Sequence, residues 1–460
     1  MVASSAGIQS WSGDTDKGTE HYQRNERKRK GREGEGLARM ALRDLLLRHC
    51  DLFPADERLL GRRWQHFFPK TTPSPIQLRI SCGSSPFCNT KFRRPYTSVM
   101  IVPTGVGASI GGFAGDALPV ARTLASVVDC LISHPNVLNA AMLYWPLPNV
   151  LYVEGHALDQ FAQGSWALQP VHRNKVGLVL DAGIEEELRI RHLQVADATR
   201  ASLGLPVVEY IVTDTPLQVE KWVDPSSGQS TGRIRHPDSL LRAVHTLVNH
   251  SQVNAVAVVG RFPDDDVEEM EDYRQGKGID LLAGVEAVIS HLIVKEFHIP
   301  CAHAPALLPL PLSLSLCPRS AAEEIGYTFL PCVLAGLSNA PQYVVKDSGT
   351  SEQGCMFASD VDSVILPIDA CGGEGTLAFA RSLRHKPLII AVEENQTVLD
   401  DTPDKLGIKA VHVSNYWEAV GVIAAHKAGV DPNSLRRNGI NNIRCFSTSL
   451  CNGYLASSTV

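Results

Sequence analysis

Residues 98–119 read SVMIVPTGVGASIGGFAGDALP, and this stretch decides the fold. Its first six residues are mostly apolar and partly β-branched, as in a buried strand. A glycine-rich loop follows, and apolar residues then recur at helical spacing within residues 116–133. A strand that leads through a glycine loop into a helix is the unit from which α/β proteins are built. The stretch therefore predicts an α/β fold.

Apolar runs and helix-like stretches alternate through the rest of the body. Strands apolar at every residue are buried on both faces, as in a parallel sheet covered by helices. We therefore predict Rossmann-like lobes with a mostly parallel sheet and helices on both faces. Further strand candidates are residues 176–180, 207–212, 253–259, 364–367 and 388–392, and helix candidates are 185–203, 237–250, 281–297, 376–383 and 416–428.

The length of 460 residues allows more than one compact lobe. Composition and glycine loops divide the chain into four predicted segments. These are a basic leader at 1–97, an N-terminal and middle lobe at 98–354, a C-terminal lobe at 355–430, and a polar tail at 431–460.

Charge and composition exclude several functional classes. Residues 1–98 hold 18 Lys and Arg against 10 Asp and Glu, whereas the whole chain has a net charge of -6. The body is therefore acidic, unlike a nucleic-acid binder, which needs a basic surface. The sequence contains no run of 18 apolar residues, so it predicts no membrane-spanning helix. Eleven scattered cysteines favour a reducing compartment over a disulfide scaffold.

The leader has the composition of an organelle transit peptide. From Arg58 to Gly115 there is no Asp or Glu, while Ser, Thr, Arg and Lys are frequent. This predicts import into the chloroplast, with the cytoplasm as the alternative. If instead the basic run at 27–32 is retained in the mature chain, it resembles a nuclear address or a nucleic-acid arm.

The first candidate binding loop holds five glycines between a strand and a helix. Glycine lets backbone N–H groups approach an anion, and the helix N-terminus adds a favourable dipole. The spacing matches neither G-x-G-x-x-G nor a Walker loop, so the alternative is a turn that only packs helix on strand. We predict that it binds phosphate or carboxylate through Gly105, Gly107, Gly111, Gly112 and Gly115.

The second candidate loop, residues 369–376, also follows an apolar strand and leads into a helix. Polar residues at the exit of the next strand lie at the same edge of a parallel sheet. We therefore predict a ligand site there, and the alternative is a tight structural turn. Its predicted ligand contacts are Gly372, Gly373, Gly375, Thr376 and Asn395.

Three further strand exits carry charged residues. Asp181 and Glu394 are the predicted catalytic bases, and Arg261 is the predicted anion contact. Seven acids between Asp264 and Asp272 could hold Mg²⁺, although such runs are more often solvated loops. We assign no metal ligands, and Mg²⁺ stays an open cofactor.

Four soft-ligand side chains lie close together in the sequence. His291, His298, Cys301 and His303 fall within 13 residues, and nitrogen and sulfur atoms are the ligands of zinc. Their spacing matches no usual zinc module. We therefore expect ordinary buried side chains.

Several motifs resemble known families. G-G-x-G-T before a helix, at 372–376, is similar to the turn of NAD and lipid kinases, although Glu374 stands where those kinases have Asp. Residues 372–396 resemble the nucleotide-sugar motif of GT-B glycosyltransferases, and GGFAGDALP at 111–119 resembles their acceptor loop. The glycosyltransferase motif has an acidic residue in the following helix, and this chain has none at the corresponding place near Phe379. These likenesses imply a nucleotide ligand.

A longer resemblance spans residues 99–430. Its segments are PTGVGASIGGFAGDALP at 103–119, SHPNVLNAAMLYWPLPN at 133–149, RHLQVADATRASLG at 191–204, AVISHLIVKEFHIPCAHAPAL at 287–307 and ACGG at 370–373. Over this length the chain resembles an uncharacterised family of photosynthetic organisms. The resemblance implies one continuous body and a plastid address, and it implies no activity.

These observations together predict an enzyme. We expect a nucleotide or other phosphorylated or anionic metabolite to bind in a crevice between the glycine loops, and we expect group-transfer chemistry. The alternative is a non-catalytic plastid protein that binds a metabolite or serves assembly or regulation. The sequence leaves the oligomeric state open.

Overall fold

The computed structural model describes residues 94–138, 146–264, 272–309, 313–323, 328–345, 354–382, 385–440 and 442–443. The predicted transit peptide, most of the acidic run after Asp264 and most of the tail lie outside the described residues. The strands are β1 (Thr97–Met100), β2 (Cys130–Ser133), β3 (Val150–Tyr152), β4 (Trp166–Gln169), β5 (Val176–Leu180), β6 (Val207–Val212), β7 (Val219–Val223), β8 (Ser230–Ile234), β9 (Ala255–Arg261), β10 (Cys301–Ala306), β11 (Gln342–Val345), β12 (Val361–Pro367), β13 (Leu388–Val392) and β14 (Ala410–Val413).

Helices connect most of these strands. Two short 3₁₀ turns lie at Ala358–Asp360 and Pro432–Leu435. The α-helices are α1 (Leu118–Val127), α2 (Pro135–Leu138), α3 (Gly155–Ala162), α4 (Glu186–Leu203), α5 (Pro237–Ser251), α6 (Ala283–Phe297), α7 (Pro318–Ala321), α8 (Leu330–Ser338), α9 (Glu374–Arg381), α10 (Pro403–Leu406) and α11 (Tyr416–Lys427).

The first sheet is parallel and has the order β3-β2-β1-β12-β13-β14. The chain therefore moves outward to one side from β1 and to the other side from β12, as in doubly wound dinucleotide-binding folds. In register, Val99 of β1 lies between Val364 of β12 and Ile132 of β2. This order confirms the predicted α/β class and places a topological switch point between β1 and β12.

The second sheet is inserted between β3 and β12. It is also parallel, with the order β6-β5-β9-β10. Two antiparallel pairs, β4 with β11 and β7 with β8, flank it. The strands after residue 354 thus complete the first sheet. The division of the body at residue 354 stays a prediction.

The core covers both faces of both sheets. Met100 and Ile365 point into one apolar cluster, while their neighbours Val99 and Val364 point into the other. Helix α1 packs in the first cluster, and Phe379 of α9 packs in the second. Because central strands such as β1, β5 and β12 are buried on both faces, their residues are mostly apolar, which explains the sequence pattern.

Two predicted elements differ in the structure. The helix expected over residues 116–133 ends at Val127, and Val128 is extended, so the chain enters β2 two residues later. Leu131 and Ile132 also fit the helical spacing, because two adjacent apolar residues are compatible with the period of a helix and with that of a strand. Residues 225–233 are rich in serine and glycine, which predicts an exposed loop, but Ser230 begins β8 there, a short strand without apolar alternation.

Among the described residues, no helix is both long and apolar enough to cross a bilayer.

Candidate functional site

The first glycine loop lies at the switch point of the first sheet. It leaves β1 at the carboxyl edge, beside the loop that leaves β12. The helices that follow these two strands, α1 and α9, pack on opposite faces of the sheet. Their loops therefore separate and leave a crevice, the position where open α/β sheets bind ligands.

Two glycines at the start of this loop have left-handed backbone conformations. The φ angle is 72° at Gly105 and 62° at Gly107, which residues with a Cβ rarely adopt. A Cβ at Gly105 would lie 2.5 Å from Ser230 Oγ of β8. The loop therefore packs directly on the part of the chain between β3 and β12, which we call the inserted unit. Within the described residues, the N–H groups of Gly105 and Gly107 donate to no acceptor. Gly105 is buried, whereas Gly107 is partly exposed.

The middle of the loop is held by hydrogen bonds within the protein. The N–H of Ile110 donates to Asn395 Oδ1 at 2.9 Å, and that of Gly111 donates to Asp116 Oδ1 at 2.6 Å. Asn395 is fully buried and its amide also donates to Ile110 O and to the Tyr416 hydroxyl. These bonds make Asn395 a support of the loop, and ligand contact by its side chain stays a prediction.

Acidic side chains from the inserted unit face the end of the loop. The carboxylate of Glu323 accepts from Ala114 N at 2.8 Å and from the Tyr273 hydroxyl at 2.6 Å. The carboxylate of Asp280 accepts from Leu282 N at 2.8 Å. Asp280 and Glu323 are both half-buried. We call the region between these two carboxyls and the glycine loop the switch-point cleft.

The two carboxyls influence each other's protonation. Burial raises the pKa of Asp280 toward neutral pH, and the charge of Glu286 adds to the rise. Burial also raises the pKa of Glu323, and there the charge of Asp280 contributes next. Two carboxyls that oppose each other's ionisation retain a proton at a pH where ordinary carboxyls have lost theirs.

Ion pairs frame the switch-point cleft. Glu286, near the start of α6, has its Oε2 3.5 Å from His303 Nε2. Asp116 pairs with Arg319 Nη1 at 3.0 Å, yet burial raises its pKa on balance. Among the described residues no group of three or more His, Cys, Asp or Glu has the geometry to hold a metal ion.

The second glycine turn has different neighbours. A Cβ at Gly372 would lie 2.3 Å from Asp401 Oδ2, whereas Gly373 faces open space. The N–H of Gly375 donates to Asp159 Oδ1 at 2.9 Å, and Thr376 is buried. The turn thus lies against α3. The two loops share an edge of the sheet, but the contacts do not bring their glycines into one pocket.

The other predicted site residues are engaged in structural contacts. The buried carboxylate of Asp181 accepts from Gly183 N, Leu217 N and Arg261 N. The guanidinium of Arg261 pairs with Glu185 and Asp264. Their places at the exits of β5 and β9 are as predicted, but their roles as base and anion contact stay predictions.

Glu394 lies at the first sheet's edge. Its Oε1 accepts from Tyr416 N at 2.9 Å, at the start of α11. The side chain is exposed and caps this helix, so its predicted role as a base also stays a prediction.

Sequence reasoning missed Asp280, Glu323 and Tyr273. Asp280 follows two glycines in GKGID, just before α6, which is a weak signal of a loop near a ligand. Glu323 comes from a stretch without any strand or motif, and only the tertiary fold brings it to Ala114. No local pattern identifies such a residue.

Comparison with known proteins supports one family. The family model described as "Protein of unknown function (DUF3326)" matches residues 97–436. An "Uncharacterized lipoprotein" of Synechococcus sp. is 57% identical over 343 residues, which are 74% of this chain and 94% of that protein. No solved structure gives a significant match. The chain therefore belongs to the DUF3326 family, which occurs in photosynthetic organisms, as the sequence segments indicated.

Proposed function

We propose that the chain is an enzyme that binds an anionic metabolite in the switch-point cleft and donates a proton to it. The observation that carries this proposal is the Asp280–Glu323 pair at the glycine loop. Glu323 accepts from Ala114 N of this loop, and within the described residues the N–H groups of Gly105 and Gly107 donate to no acceptor. Protonated carboxyls donate hydrogen bonds and do not repel an anion. A phosphate or carboxylate group would accept from the two amides, as anions do at glycine loops.

The pair would act as a general acid. In a group transfer, protonation of the departing atom by a positioned side chain speeds the reaction by roughly 10²–10⁴-fold. Glu323 is the proton donor in this proposal because it lies at the glycine loop, and Asp280 keeps it protonated. A nucleotide is one anionic metabolite of this kind, in line with the glycosyltransferase-like motifs.

Metabolite profiling with the variant Glu323→Gln tests this function. The Gln oxygen still accepts from Ala114 and Tyr273, but the side chain carries no acidic proton. After incubation of a metabolite extract with each protein, mass spectrometry should show an anionic compound consumed by the wild type and about 100-fold more slowly by the variant. Glu187→Gln, an exposed change on α4, is the control. Equal consumption by all three proteins contradicts the proposal.

We also propose that the protein acts in the chloroplast. The acid-free stretch 58–115 and the similarity to a cyanobacterial protein support this placement. Residues 1–97 fused to a fluorescent protein should enter isolated chloroplasts and be cleaved near Ser98, whereas the fusion without residues 58–97 should stay outside. Cytoplasmic or nuclear fluorescence from the full fusion would overturn the placement.

A further inference from the structure

A second group of titratable side chains lies where α3, α6 and the start of α9 meet. It surrounds the second glycine turn, and the proposed function does not use it. Its members come from both sheet units, since α6 belongs to the inserted unit. This histidine–carboxylate cluster consists of Glu154, His156, Asp159, His291 and Glu374.

Its best-defined contact joins Glu154 to His291. Glu154 follows β3 and is only 2% exposed, with Oε2 accepting from His156 N at 2.8 Å. Its Oε1 lies 2.5 Å from His291 Nδ1. The His291 side chain is 46% exposed, so its ring is held on one side and open to a ligand on the other. A carboxylate that fixes Nδ1 in this way leaves Nε2 for proton exchange.

Asp159 stands one turn further along α3. Its Oδ1 accepts from Gly375 N at 2.9 Å, and the side chain is partly exposed. Burial and the charges of Glu374 and Glu154 raise the pKa of Asp159 to about 6, against the hydrogen bond from Gly375 and the charge of His291. A carboxyl with this pKa is ionised at neutral pH and is still a useful base.

His291 has the complementary protonation. Burial acts to lower its pKa, but the hydrogen bond and charge of Glu154 outweigh burial and raise it. The cluster therefore combines a carboxyl whose pKa is raised to about 6 with an imidazole whose pKa is raised above its usual value. Environments that separate the roles of two titratable groups in this way are typical of acid–base sites.

The turn beside these groups is open. No heavy atom lies within 4 Å of a Cβ built at Gly373. Within the described residues, the N–H groups of Gly373 and Glu374 donate to no acceptor. They are donors for a developing oxyanion. The cluster has three carboxyl groups and His291 as the cation that could offset them, so it favours a neutral substrate over an anionic one.

We propose that this cluster is a second catalytic site, which hydrolyses neutral carboxylic esters. Asp159 takes a proton from water as the water oxygen bonds to the acyl carbon. The bond from that carbon to the alcohol oxygen then breaks, and the oxygen receives the Nε2 proton of His291. The acid and the alcohol leave. Asp159 then releases its proton to solvent, and His291 takes up a proton from solvent. Glu154 is a positioning residue.

A pH-stat assay on the full-length protein with triacetin and ethyl butyrate tests this site. The kcat/KM should rise as the pH passes through about 6 and fall again at higher pH as His291 loses its proton. Asp159→Asn and His291→Gln should each lower kcat/KM about 100-fold. The matched controls are Asp197→Asn and His245→Gln, both exposed on helices. Both controls should keep the wild-type rate.

The variant Glu154→Gln separates catalysis from folding. Without the carboxylate, His291 should lose its proton at lower pH, so the falling limb of the profile moves down. The rising limb should move down by less, because the charge of Glu154 is the smallest of the causes that set the pKa of Asp159. A purely structural role for Glu154 would scale the whole profile without moving a limb. The proposal is overturned if the wild type releases no acid from either ester, or if Asp159→Asn and His291→Gln match their controls.

Discussion

Gly284→Ala is expected to destabilise the protein by about 3 kcal/mol or more, through overpacking against a rigid partner. Gly284 lies in the first turn of α6, where the helix touches the β7–β8 hairpin. A Cβ there would lie 2.0 Å from the carbonyl oxygen of Ser230 and 2.7 Å from Cα of Thr231. Both are backbone atoms, so no side-chain rotation relieves the contact. The denaturant midpoint of unfolding measures the loss.

A second glycine provides the matched comparison. Gly421 also lies within a helix, α11, but no heavy atom lies within 4 Å of its missing Cβ. Gly421→Ala should raise the free energy of unfolding by about 0.5–1 kcal/mol, because alanine is the better helix former. If the two substitutions shift the midpoint in the same direction, the close approach of α6 to β8 is not as described.

Asp280→Asn should stabilise the protein at alkaline pH. Since the folded pKa of Asp280 is raised, the folded state holds a proton that the unfolded state releases above about pH 4. The free energy of unfolding therefore falls as the pH rises and levels off above the folded pKa. Asn removes this buried charge while its oxygen still accepts from Leu282 N. We expect a gain of about 2 kcal/mol at pH 8.

Denaturation at pH 5, 6.5 and 8 measures this effect. The wild type should lose stability across the series, and Asp280→Asn should give a flatter curve that crosses above it. Asp400→Asn, at a side chain 80% exposed, should follow the wild type. An unchanged slope in Asp280→Asn would show that this carboxyl ionises normally in the folded protein.

The fold class could be predicted from sequence because burial on both faces leaves a local signature. Residues 176–180, 207–212 and 388–392 are strands with the predicted bounds. The assignment of strands to sheets could not be predicted, since nothing near Val361 shows that it pairs with Thr97. Short edge strands such as β3 and β14 carry too few residues to show a period.

The candidate site was predictable only in part. The glycine loops and their position at strand exits follow from local pattern. The chemistry proposed for them depends on Glu323 and His291. Glu323 is 209 residues from Ala114 in the sequence, and His291 lies on α6 of the inserted unit. Burial and neighbouring charges set the protonation of these groups, and both are properties of the tertiary fold.

The pairing of β1 with β12 has a consequence for biosynthesis. Ser98 and Ser363, which bond across these strands, are 265 residues apart, with the whole second sheet between them. As the chain leaves the ribosome or an import channel, β1 to β3 wait without their central partner while the inserted sheet can already form. Contacts of such long range form slowly. We therefore expect the first sheet, and with it the switch-point cleft, to assemble after the inserted sheet.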